Sequence, residues 1–69
     1  MKYNYSKLLG RMKECGVTQE RLAKEIGKNE TTLSAKFNNK SQFKGDEMDA
    51  ICKVLNISND EIGAYFFAV

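Results

Sequence analysis

Large apolar residues recur along this chain at helical spacing, and no convincing run alternates with period two. Tyr5, Leu8, Leu9, Met12 and Cys15 follow an i, i+3, i+4, i+7, i+10 stripe, the inward face of a first helix, and Gly16 stands where a left-handed C-cap would end it. Thr18 is placed to cap a second helix, with Val17 before it positioned to staple onto Leu22. The inward positions of that helix are Leu22, Ala23 and Ile26, and Gly27 stops it. Asn29 caps a third helix from Glu30 to about Phe37, in which Leu33 and Phe37 face the core.

Asn38 to Gln42 reads as a loop. After it, GDEMDAICKVL places Met48, Ile51, Cys52 and Leu55 on one side of a fourth helix with acids in its first turn. In ISNDEI, Ser58 and Glu61 form a capping box, and Ile57 and Ile62 are spaced for its staple, so a fifth helix begins there. The fold class predicted is all-α: a compact five-helix bundle, one domain over residues 1–69.

The third helix is the anomaly in this pattern. Glu30, Thr31, Ser34, Ala35 and Lys36 surround only two large apolar residues. A chain of 69 residues has little apolar material to spare, so a face left polar here calls for a purpose.

That stretch carries a resemblance. Gln19, Ala23, Gly27 and Leu33 occupy the first, fifth, ninth and fifteenth places of a helix-turn-helix unit running over residues 18–38, with Leu22 and Ile26 in its inward slots. TQERLAKEIG followed by TLSAKFNNK looks like the phage repressor and Cro class, the xenobiotic-response-element type of five-helix, lambda-repressor-like DNA-binding domain. Physical chemistry asks for the same residue types. A steep crossing of two helices needs a residue tolerant of positive φ at the turn, and Ala23 must be small where the helices nearly touch. Lys28 and Lys36 depart from the pattern, because the family usually fills their places with apolar residues. Their stems can cover the core edge while the ammonium groups reach outward.

The resemblance implies a partner, double-stranded DNA carrying a near-palindromic operator, read in the major groove by Glu30, Thr31, Ser34, Ala35 and Lys36. It also implies phosphate contacts from Thr18, Gln19, Lys28, Asn38, Asn39 and Lys40, although helix capping alone accounts for Thr18 and a solvated loop for Asn38 to Lys40. No reader is a strong Arg or Gln fork, so two copies acting as a homodimer are expected. Tyr65, Phe66, Phe67 and Val69 in the terminal AYFFAV would supply that interface, unless they are needed to close the core of a single chain.

Charge fits such a division of labour. Residues 1–40 carry nine Lys or Arg against four Glu, a balance of +5, while residues 41–69 carry two Lys against five acids, a balance of −3. The basic half suits an anionic partner, though ordinary solvated helix faces look the same. A second functional class therefore stands beside DNA binding: a protein-interaction adaptor that keeps the scaffold and binds another protein, as antitoxins and phage anti-host factors do.

Other chemistry is poorly supplied. The chain has no histidine, no phosphate-cradling glycine loop and no G-x-S-x-G turn, so neither an enzyme nor a cofactor or small-molecule ligand is expected. A metal site would have to be built from Cys15, Cys52 and carboxylates, a poor set for zinc. Both cysteines fall in apolar patterns and are expected as buried thiols of a cytoplasmic protein. No apolar run approaches the roughly 18 residues of a membrane span, and the N-terminus lacks the apolar core of a signal peptide.

Overall fold

The computed structural model describes residues 2–69. Its five α-helices are α1 (Ser6–Glu14), α2 (Gln19–Ile26), α3 (Glu30–Phe37), α4 (Gly45–Leu55) and α5 (Ile62–Phe66), the last preceded by a single 3₁₀ turn, Asn59–Glu61. No strand occurs among the described residues, so the all-α reading holds.

Four left-handed residues punctuate the chain: Gly16 (φ 68°), Gly27 (φ 74°), Asn39 (φ 62°) and Asn56 (φ 55°). Each turns the backbone back so that a later amide reaches a carbonyl of the last helical turn: Val17 to Met12, Lys28 to Ala23, Lys40 to Ala35 and Ile57 to Cys52, all at 2.8–2.9 Å. The carbonyls that a helix end orphans are thereby partly satisfied, and the connections stay short. At the other ends, Thr18 Oγ1 accepts from the Arg21 amide at 3.1 Å and Asn29 Oδ1 from the Thr32 amide at 2.7 Å, the two caps expected of these residues. The Ser58–Glu61 pair meets as well. The amide and hydroxyl of Ser58 both donate to Glu61 Oε1, at 3.4 and 3.1 Å.

Every helix gives the core at least one fully buried side chain: Leu8, Leu22, Leu33, Ile51 with Leu55, and Phe66. Helix α2 packs against both α3 and α4, and α5 closes over α1. An aromatic cluster fills the space between the N-terminal segment and α3. Tyr5, Phe37, Phe43 and Phe66 meet edge to face at centroid distances of 5.4 to 5.9 Å, an arrangement the ring quadrupoles favour.

Several expectations need correction. Tyr65 and Phe66 are buried in their own chain's core and are unavailable to a dimer interface; Phe67 and Val69 alone of the four stay exposed. A bundle this small needs both inner aromatics for closure. Cys52 is buried, where loss of solvation and then nearby Asp49 push its thiol pKa up, but Cys15 is exposed. Cys15 lies just beyond α1, where Gly16 already turns the chain away. Leu9, at the edge of the same stripe, is also exposed.

Candidate functional site

Helix α3 is held by two neighbours on one side and is open on the other. Leu33 is buried and Phe37 half-buried against the aromatic cluster. The third anchor is unexpected: Lys36 is buried, with its Nζ 2.9 Å from Glu47 Oε1 on α4 and donating to the Gln42 carbonyl at 3.0 Å. Three residues after Leu33, Lys36 lies on the same helix face, so its stem and its charge go inward together.

Glu47 is buried and fully engaged. It accepts from the Lys44 amide at 2.8 Å and has Lys28 Nζ 3.8 Å from its second oxygen. Burial pushes its carboxyl pKa up, but the Lys44 amide, the Lys36 ammonium and the charge of Lys28 outweigh that and hold it below the ordinary carboxylate value. Lys36 is therefore no base reader, and the sequence expectation for it is overturned. Lys28 is turned toward the same carboxylate with its side chain about 38% exposed.

Asn39 is a second correction. Its side-chain amide accepts from the Tyr3 amide at 2.8 Å and donates to the Tyr3 carbonyl at 3.0 Å, so it clamps the N-terminal segment instead of facing a phosphate. The Asn4 amide continues this pairing to the Ala68 carbonyl at 2.7 Å, which ties both ends of the chain beside the C-terminus of α3. Thr18 spends its hydroxyl oxygen on the cap of α2.

The remaining seven residues come together. Gln19, Glu30, Thr31, Ser34, Ala35, Asn38 and Lys40 line one open concavity of about 380 Å³ between the start of α2 and the outer side of α3. Each of them is a contact that the sequence reading assigned. Asn38 is steadied by donating to the Ser34 carbonyl at 2.9 Å. Among these seven only Glu30 and Lys40 are charged, so the formal charge of the lining is zero.

Sequence reasoning missed Glu47, the clamp role of Asn39 and the core role of Phe43. A signal for Glu47 existed: an acid three residues after a helix's N-cap can bond back to the cap amide, but Lys44 is not a recognisable capping residue. Arg11, also unassigned, donates from Nε to the Leu55 carbonyl at 3.0 Å and so places its charge at the C-terminal end of α4.

A short rod with an outward polar side, fixed by an inward ion pair, defines a small all-α protein in which one face of α3 is left open. The chain belongs to the family described as "Protein of unknown function (DUF739)", which matches residues 1–69. It is similar to a solved protein, the modulator of repression (MOR) of the temperate bacteriophage TP901-1 from Lactococcus lactis, known from a solution structure. The two are 40% identical, the match covers 97% of this chain and 90% of that one, and the TM-score is 0.81. No curated protein matches the chain. Neither comparison carries the finer likeness to the repressor and Cro class.

Proposed function

We propose that this chain is a phage regulatory protein that modulates repression by binding the repressor protein, using the concavity on α3 as its contact surface. The relative described as a modulator of repression supports the regulatory role. The observation that carries the choice of partner is the character of the concavity: preformed, polar, lined by small residues at Thr31, Ser34 and Ala35, and without net charge. Duplex binding draws most of its affinity from Lys and Arg set against phosphates. Here Lys36 is committed to Glu47, Lys28 leans on the same acid, and Lys40 is the one cation in the lining. A lining without net charge suits a protein contact, whose buried centre is depleted of charged residues.

Direct operator binding is the second reading, favoured by one specific arrangement. Gln19 at the positive end of α2 and Lys40 beyond α3 bracket the outer side of α3, as two phosphate clamps would bracket a reading helix. That reading also needs a homodimer on a near-palindromic site, with Phe67 and Val69 the two of the four tail residues left exposed to form it.

Thr31→Arg separates the two by sign. The residue is exposed, so the fold tolerates the change. Added bulk and charge weaken a complex with the repressor protein encoded by the same phage genome, whereas an added cation raises the general, salt-sensitive affinity for duplex of any sequence. Selection of bound sequences from a random duplex pool completes the test. We expect no consensus from this chain alone. A symmetric consensus, with affinity falling steeply as salt rises, would replace the protein-binding reading by the operator-binding one.

A further inference from the structure

A second depression adjoins the polar concavity and differs from it in chemistry. It is an open groove of about 360 Å³ between the end of α1 and the start of α2, with Leu9, Met12 and Val17 as its floor and Lys13, Thr18 and Gln19 at its rim. Leu9, 40% exposed, is one of three large apolar residues that the fold leaves in water. Gln19 lines both depressions, so they form one continuous surface.

We propose that this groove is the apolar anchor site of the chain's protein-binding surface, and that its occupant is an amphipathic helix of the partner bearing a bulky aliphatic or aromatic residue next to a carboxylate. This rests on the protein-binding reading above and extends it. A stable protein contact needs about 800 Å² from each partner and a desolvated apolar centre. The concavity on α3 is mostly polar and has no large apolar side chain in its lining, and the groove beside it supplies the missing centre.

The charge of the rim selects the partner's chemistry. Lys13 has no acidic partner among the described residues, and the N-terminal end of α2, at Thr18 and Gln19, contributes positive potential to the same rim, the acid of its first turn, Glu20, being paired with Lys24 at 4.0 Å. An apolar knob with a neighbouring Asp or Glu satisfies floor and rim together. A second copy of this chain fits less well, because its own exposed Leu9 stands among Lys7, Arg11 and Lys13, which would set like charge against the Lys13 rim.

The test is a display selection of helix-forming 16-residue peptides, randomised on one face, against the intact protein and against its Lys13→Glu and Leu9→Asp variants. Both substituted positions are exposed, and matching circular dichroism verifies folding. The intact protein should enrich peptides that pair large apolar residues with Asp or Glu. Lys13→Glu should shift the enriched charge to Lys or Arg, and Leu9→Asp should weaken the selected peptides roughly tenfold or more. No enrichment, or peptides indifferent to both variants, overturns the groove assignment. The wider reading is tested separately with the repressor. A complex lost in Thr31→Arg and unchanged in Leu9→Asp removes the groove alone, and a complex unaffected by either removes the reading on which it rests.

Discussion

The ammonium of Lys36 lies 2.9 Å from the carboxylate of Glu47, and both side chains are almost wholly buried. This pair joins α3 to α4 from within, and it decides which side of α3 faces out. Three neighbours, the Lys44 amide, the Gln42 carbonyl and Lys28, complete the pair's surroundings, and no buried side-chain N or O atom among the described residues lacks a partner.

Breaking this pair from one side should be costly. Lys36→Met strips Glu47 of its nearest counter-charge and is expected to lower unfolding free energy by about 3 to 5 kcal/mol. A double variant, Lys36→Met with Glu47→Leu, removes both charges and should recover most of that loss. Urea denaturation at neutral pH measures both, with the recovery as the decisive quantity.

The same pair gives a signed pH dependence. The folded-state pKa of Glu47 lies below its unfolded value, so its contribution is complete above the ordinary carboxylate pKa of about 4.3 and is lost as pH falls through the lower, folded value. Stability measured from pH 7 downward should fall less steeply in Glu47→Gln than in the unaltered protein across that acidic window. Parallel curves would remove the assignment.

Asn39 should show a conformational and a hydrogen-bonding contribution that can be told apart. Asn39→Gly keeps the left-handed turn but loses both bonds to Tyr3, whereas Asn39→Ala also bears a Cβ at φ 62°. The alanine variant is expected to be about 1 to 2 kcal/mol less stable than the glycine one. In both, hydrogen exchange at the Tyr3 amide should accelerate.

The C-terminal aromatics should behave as unlike neighbours. Phe66→Ala opens the core and should cost about 3 to 5 kcal/mol. Phe67→Ala loses an edge contact with Tyr3, centroids 5.7 Å apart, and should cost under about 1.5 kcal/mol. Thermal unfolding of the two variants makes the comparison.

Local sequence pattern accounts for part of this arrangement. Leu22, Leu33, Ile51 and Leu55 announced their burial through helical period, and Thr18, Asn29 and Gly27 through the chemistry of helix ends. Seven of the residues assigned to recognition meet in one concavity because they share the outer side of α3 or the adjoining ends of α2 and the following loop. Lys36 was misread because periodicity places a residue on a face without saying whether a distant acid waits there. Glu47 lies eleven positions away, on a different helix. Asn39 and Tyr3, and Phe43 in the aromatic cluster, are likewise long-range pairings that no local pattern encodes. The tail was ambiguous for a different reason: AYFFAV has four large apolar residues, and only packing tells which two the core takes.

Amide chemical-shift mapping of the isotope-labelled protein, titrated with the repressor protein proposed as its partner, tests the proposed function most directly. The expected result is saturable change centred on Gln19, Thr31, Ser34, Ala35 and Asn38, with the α4 residues around Lys53 unmoved. Change confined to other surfaces, or none with the repressor while operator duplex moves those same five residues, would contradict it.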